Sequence, residues 1–266
     1  MSTTENPLFI SAFIYVQKAW NNCAINLNLG VVFAIISDQI MSEFKKIVVI
    51  GAGTMGSGIA AHLANSQRQV VLLDLKGGEQ ANEIALRAID NIKKSDPPLL
   101  VEKERLGFIT PGNLTDDFNQ IADADWIIEA VVERIDIKHH LYQQIDKVRS
   151  PASIVSSNTS TIPLSVLCED MSESMKADFC ITHFFNPVRF MRLLEIVETP
   201  TMNKTKIDHL RAFCKNELGK GIVNCKDTPG FIGNRIGVYA MQVAMYEALD
   251  RGLPLEIADA LFGRPL

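Results

Sequence analysis

Lys45-Lys46-Ile47-Val48-Val49-Ile50 runs directly into Gly51-Ala52-Gly53-Thr54-Met55-Gly56, and Gln69-Val70-Val71-Leu72-Leu73-Asp74 follows. The first stretch is short, apolar throughout and led by two lysines, which reads as a strand buried on both faces of a parallel sheet. The second is a G-x-G-x-x-G loop. Met55 to Ser66 then carry Ile59, Ala60, Leu63 and Ala64 at helical spacing, and the last stretch is a second buried strand ending in an acid. Each part has a physical task. Gly51 permits a tight turn, Gly53 lets backbone approach a pyrophosphate, and Gly56 lets helix and strand pack closely. The free N–H groups at the helix start favour phosphate. Asp74 is placed to accept hydrogen bonds from the adenosine ribose, and its charge repels a 2′-phosphate, so NAD is expected rather than NADP. A glycine loop that served packing alone would not need the strand–loop–helix–strand frame or the terminal acid.

A second constellation lies downstream. Thr182-His183-Phe184-Phe185-Asn186-Pro187 is followed by Glu195, twelve positions after the histidine. A histidine whose second nitrogen is held by a carboxylate keeps one tautomer and can take a proton from a hydroxyl. Beside a nicotinamide ring that pair would oxidise an alcohol. The plainer alternative is a buried strand-end histidine and an unrelated surface glutamate. The loop motif does not separate NAD from FAD, but the histidine favours a nicotinamide partner.

The rest of the chain alternates strands and helices. Strands are expected at 108–113, 125–131, 153–157, 177–183, 192–197 and 221–225. Helices are expected at 79–94, 99–106, 136–148 and 207–218, with a helical or loop region at 162–167. This order predicts a mostly parallel α/β sheet, in which ligand-contacting groups collect at strand carboxyl ends. Glu133, Ser157-Asn158-Thr159-Ser160, and His183 with Asn186 fall there. A helix-capping loop is the ordinary reading for 157–161.

Of 266 residues, 47% are hydrophobic and the net charge is −5, which permits a large core and disfavours nucleic acid as a partner. Cys23, Cys168, Cys180, Cys214 and Cys225 show no C-x-x-C or metal spacing. All five read as small buried hydrophobes in a reducing, cytoplasmic compartment. The apolar runs Leu8 to Val16 and Leu27 to Ile36 are too short for a membrane span, and no lysine or arginine precedes Leu8. Residues 1–40 are expected to be an appendage, 41–226 the dinucleotide-binding domain, and 227–266 the start of a helical domain that looks cut short. The apolar pattern from Phe231 to Asp250 then needs cover from the first domain, another copy or further chain.

From Lys45 onward the sequence resembles the 3-hydroxyacyl-CoA dehydrogenase family. The matching segments are Gly51-Ala52-Gly53-Thr54-Met55-Gly56, Glu129-Ala130-Val131-Val132-Glu133, Ser157-Asn158-Thr159-Ser160, His183-Phe184-Phe185-Asn186-Pro187 and Lys226-Asp227-Thr228-Pro229-Gly230-Phe231-Ile232-Gly233-Asn234-Arg235. Ile109 to Leu114 and Phe262-Gly263-Arg264-Pro265 are similar to long bacterial members fused to an enoyl-CoA hydratase. The resemblance implies a Rossmann-type, doubly wound sheet followed by the start of a helical C-terminal domain, and oxidation of an L-3-hydroxyacyl-CoA to the 3-ketoacyl-CoA in fatty acid β-oxidation. It implies His183 as general base, Glu195 as its orienting partner, Ser160 and Asn186 beside the substrate oxygen and nicotinamide, and Asn234 lining the cleft. Gly51, Gly53, Thr54, Met55, Gly56, Asp74, Glu133, Lys138, Ser160 and Asn186 form the expected NAD-binding set, with no metal. A homo-oligomer is expected where the helical domain is complete. Lys93 and Lys94 read as a solvated helix end rather than a coenzyme A contact. The alternatives are an NAD-binding fragment or interaction module without turnover, and a dehydrogenase acting on another hydroxy acid.

Overall fold

The computed structural model describes residues 44–263. The expected appendage, its apolar runs, Cys23 and the final three residues lie outside the described residues. The strands are β1 (Lys46–Ile50), β2 (Gln69–Asp74), β3 (Ile109–Asn113), β4 (Trp126–Glu129), β5 (Ile154–Ser157), β6 (Phe179–Phe184), β7 (Leu193–Glu198) and β8 (Gly221–Asn224). They form one sheet in the order β3-β2-β1-β4-β5-β6-β7-β8. β1 to β6 pair in parallel. β7 runs antiparallel to β6, and β8 pairs parallel to β7. Strand order reverses at β1, so the loops after β1 and β4 open side by side, where such sheets hold ligands.

The helices are α1 (Thr54–Asn65), α2 (Glu83–Lys94), α3 (Ile135–Val148), α4 (Leu164–Leu167), α5 (Glu173–Ala177), α6 (Lys204–Asn216), α7 (Gly233–Asp250) and α8 (Leu255–Phe262). Side-chain alternation along β1 divides the core. Ile47 and Val49 pack with Ile59 and Leu63 of α1, Ala88 and Ile92 of α2, and Leu210 of α6. Val48 and Ile50 pack with Leu141 and Ile145 of α3, Leu167 of α4 and Met175 of α5. A strand covered on both faces must be apolar at every position, which is why β1 and β2 read as continuous runs.

Two local expectations change. α2 begins at Glu83 rather than Glu79, because a bend at Gly77-Gly78 is closed by the Gly77 N–H on the Ala81 carbonyl at 3.0 Å. The helix expected at 99–106 is replaced by a 3-10 helix at Lys103–Phe108. Before it, the Leu99 N–H goes to Ser95 Oγ (3.0 Å) and the Val101 N–H to Asn65 Oδ1 (2.9 Å), so side chains take donors that a helix would use. The five-residue α5 had no expectation; Ser172 Oγ caps it by accepting from the Met175 N–H at 3.1 Å. Pro111 sits in β3, an edge strand, where the missing N–H is tolerated.

From Phe44 onward the chain is one compact unit. The two carboxylate oxygens of Asp227 accept from the Leu164 and Ser165 N–H groups at 2.6 and 2.9 Å, seating that turn on the start of α4. Beyond it, α7 buries only Ala248. Ile236, Tyr239, Met241, Met245, Tyr246 and Leu249 are exposed.

Candidate active site

β6 and β7 are joined as a hairpin whose register places His183 directly opposite Glu195. Glu195 Oε2 lies 2.7 Å from His183 Nδ1, and both residues are buried. The other carboxylate oxygen accepts from the Ile232 N–H (2.9 Å) and the Gly233 N–H (2.7 Å) at the start of α7. Burial pushes the Glu195 carboxyl up. The His183 hydrogen bond and the Gly233 and Ile232 N–H groups outweigh this and hold it below its ordinary value. Glu195 is therefore ionised at neutral pH, and the neutral His183 ring must carry its hydrogen on Nδ1. Nε2, which has no hydrogen-bond partner among the described residues, is left as the proton acceptor. The rings of Phe185 and Phe231 flank the imidazole at 4.4 and 5.6 Å between centroids.

The glycine loop leaves β1 at the strand-order reversal. Gly51 has φ +103° and a Cβ there would stand 2.5 Å from the Ala130 carbonyl oxygen, so the turn passes under the loop after β4. A Cβ on Gly56 would stand 1.7 Å from the Gly51 carbonyl oxygen. At Gly53 no atom lies within 4 Å of the Cβ position, and as N-cap of α1 it brings no side chain to the first N–H groups. Thr54 and Met55 open the helix beside this space. That open cradle of unmet donors fits a pyrophosphate. Asp74 ends β2 next to it, with Oδ2 accepting from the Ala52 N–H (2.5 Å) and Oδ1 from the Leu75 N–H (2.6 Å).

Gly56→Ala is expected to displace the Gly51 turn and weaken NADH binding about 10- to 100-fold, equivalent to about 1–3 kcal/mol of overpacking. Fluorescence titration would measure it. Gly107→Ala is the control, because a Cβ there meets nothing within 4 Å.

The ends of β4 and β5 are joined by a buried network. Glu129 is fully buried and accepts from Lys138 Nζ, Tyr142 OH and Ser157 Oγ, each at 2.6 Å, and from the Val131 N–H at 2.7 Å. Lys138 also lies 3.2 Å from Glu133 Oε2. Glu133 Oε1 accepts from Thr159 Oγ1 (2.9 Å) and the Ser160 N–H (3.0 Å). Partial burial pushes Glu133 up, but Lys138, the Ser160 N–H and Thr159 hold it below its ordinary value. Ser160 is thus set by Glu133, and Glu133 by Lys138. Lys138 is 1% exposed, so its reach toward a cofactor runs through Glu133 rather than through open solvent. Asn186 is exposed just past β6, and Asn234 stands in the first turn of α7, next to the Gly233 that bonds Glu195.

Residues 46–228 match the family described as 3-hydroxyacyl-CoA dehydrogenase, NAD binding domain. The chain belongs to the 3-hydroxyacyl-CoA dehydrogenase family. The cofactor of this dehydrogenase domain is NAD. The mitochondrial hydroxyacyl-coenzyme A dehydrogenase of Sus scrofa is 36% identical over 217 residues, covering 77% of this chain and 67% of that one. The fatty acid oxidation complex trifunctional enzyme of Rickettsia felis is 43% identical over 223 residues, 83% of this chain but 31% of its own length. The chain therefore spans about a third of that relative. Among solved structures, the (S)-3-hydroxybutyryl-CoA dehydrogenase of Ralstonia eutropha superposes with TM-score 0.63 at 30% identity, covering 80% of this chain and 74% of that one.

Within this dehydrogenase domain several residues stood in quoted motifs but had no assigned role. Glu129, the first residue of its motif, lies at the centre of the buried network. Asn158 Oδ1 accepts from the Phe184 N–H at 2.9 Å and so ties the β5 loop to the strand carrying His183. The N–H groups of Ile232 and Gly233 carry no side-chain signal at all. One expectation is corrected. Cys168, Cys180 and Cys214 are buried, but Cys225 is half-buried with Sγ 3.6 Å from Glu195 Oε1, so it borders the site rather than filling the core. Lys93 pairs with Asp90 at 3.1 Å on the α2 surface, as a solvated helix end would. No helix among the described residues is long and apolar enough to cross a membrane, and no His/Cys/Asp/Glu group there could hold a metal.

Proposed function

We propose that this chain carries out NAD-dependent oxidation of an L-3-hydroxyacyl-CoA to the 3-ketoacyl-CoA, a step of fatty acid β-oxidation, in the cytoplasm. The observation that carries the reading is the buried His183–Glu195 pair, with Nε2 left open, at the same carboxyl end of the parallel strands as the glycine loop. Gly51, Gly53, Thr54, Met55 and Gly56 would hold the pyrophosphate, Asp74 the adenosine ribose, and Glu133, Lys138, Ser160 and Asn186 the nicotinamide end. When bound, NAD supplies the hydride acceptor. His183 Nε2 takes the hydroxyl proton of the substrate, and Glu195 stabilises the imidazolium that forms. In the reverse direction that imidazolium returns the proton to the oxygen. Ser160, Asn186 and Asn234 orient the substrate oxygen.

The test is NADH oxidation by the 266-residue chain with short and long 3-ketoacyl-CoA substrates, beside an NADH-binding titration. Turnover supports the reading. NADH binding without turnover supports a second one, a cofactor-binding piece that needs a partner surface. The exposed apolar residues of α7 and α8, including Tyr239, Met245, Leu255 and Leu261, favour that second reading, and they suit a homo-oligomer.

A further inference from the structure

Lys220 is a buried cation with no part in the chemistry above. It follows Gly219, immediately before β8, and is 4% exposed. Its Nζ donates to the carbonyl oxygens of Val188 and Met191, the latter at 2.8 Å. It also stands 5.7 Å from the centre of the Phe184 ring. All three contacts fall on one hairpin. Phe184 neighbours His183, and Val188 and Met191 lie in the turn between the His183 strand and the Glu195 strand. That turn also holds Asn186, which is exposed and has no hydrogen bond of its own among the described residues. On its other side, Arg189 Nη1 donates to the Leu100 carbonyl at 3.0 Å.

We propose that Lys220 is a positioning residue for Asn186: its ammonium clamps the turn between β6 and β7 in the shape that presents Asn186 to the substrate oxygen and nicotinamide. The inference rests on the dehydrogenase reading of the site. A lysine that only filled space would not need to bring a charge into the interior, where an apolar side chain of the same length packs without the desolvation cost. Here the charge meets two carbonyl acceptors and an aromatic face, all on the segment that carries the active-site amide.

The clamp also has a pH sense. Burial lowers the Lys220 pKa to about 8, with Cys214 of α6 opposing slightly. The groups facing it are His62 of α1 and Cys214 of α6, and Arg189 of the turn acts on His62. His62 is lowered to about 4 by burial and then by the Lys220 charge, so it stays neutral above that; burial pushes the Cys214 thiol up. The ammonium is therefore present below about pH 8 and lost above it, and its two charge-assisted bonds weaken as pH rises.

The experiment is a double-mutant cycle of Lys220→Met and Asn186→Ala, read in NADH-dependent turnover with a 3-ketoacyl-CoA, or in the NADH dissociation constant if the chain binds without turning over. Lys220→Met is expected to cost about tenfold, the scale of one charge-assisted hydrogen bond. In the Asn186→Ala background it is expected to cost less than about twofold, because residues that act through one shared backbone segment couple. Lys220→Arg keeps its charge, so the ratio of its rate or affinity to wild type should rise between pH 7 and 9. An Asn186→Ala effect with additive Lys220→Met losses would overturn the positioning role alone, as would a flat Lys220→Arg ratio. A silent Asn186→Ala would sink both the role of Asn186 and the proposal. If Lys220→Met fails to fold, the Lys220→Arg ratio still decides.

Discussion

Replacing His183 by glutamine is expected to lower NADH-dependent turnover about 10²–10⁴-fold, the usual contribution of a positioned general base, while the NADH dissociation constant changes little. The reason is geometric. Nδ1 is committed to Glu195 at 2.7 Å, so Nε2 is the ring atom that can accept a proton. Glutamine can still donate to Glu195 but has no basic nitrogen. Stopped turnover with NADH binding intact would assign His183 to the chemical step. Turnover unchanged by the substitution would remove His183 from the mechanism, and a parallel loss of NADH binding would point to collapse of the β6–β7 hairpin.

Glu195→Gln is the second large effect, and it works through the histidine. The carboxylate accepts on both sides, from His183 on one and from the Ile232 and Gly233 N–H groups on the other. A glutamine can satisfy the two backbone donors with its carbonyl oxygen. Its amide NH₂ then faces His183 Nδ1, which must become an acceptor. The neutral ring shifts its hydrogen to Nε2 and can no longer take the substrate proton. Turnover is expected to fall about 10³–10⁴-fold, the scale of a wrong-tautomer histidine. The start of α7 should stay seated, with unchanged hydrogen-exchange protection at Ile232 and Gly233. Glu195→Ala should lose that protection too, because two N–H groups are left without their acceptor. Equal activity losses with unchanged protection in both variants would mean that the carboxylate does not hold the helix.

The pairing of these two residues shows how far local pattern reaches. They stand twelve positions apart, and the motif suggested a partnership, but only antiparallel pairing of β6 with β7 in this register puts them opposite each other. A slip of one residue would turn Glu195 to the other face of the sheet. Lys138 illustrates the opposite limit. The family resemblance implied it as a cofactor contact, and the fold sets its ammonium between Glu129 and Glu133, so any influence on a cofactor passes through Glu133. Burial of that kind depends on α3 bringing Lys138 and Tyr142 to Glu129 at the end of β4, which no short segment encodes.

By itself, the sequence determined the β1–loop–α1–β2 unit, its glycines and Asp74, and the mostly parallel order of the sheet. These follow from local requirements: continuous apolar runs for strands covered on both faces, and glycine where the backbone must turn tightly or pack closely. The tertiary structure alone decided that the second oxygen of Glu195 holds the start of α7, that Glu129 gathers Lys138, Tyr142 and Ser157, and that Lys220 grips the turn carrying Asn186. Each of these joins residues far apart in the chain, several through backbone N–H and C=O groups that every residue type shares. Only the packed fold selects which of those groups meet.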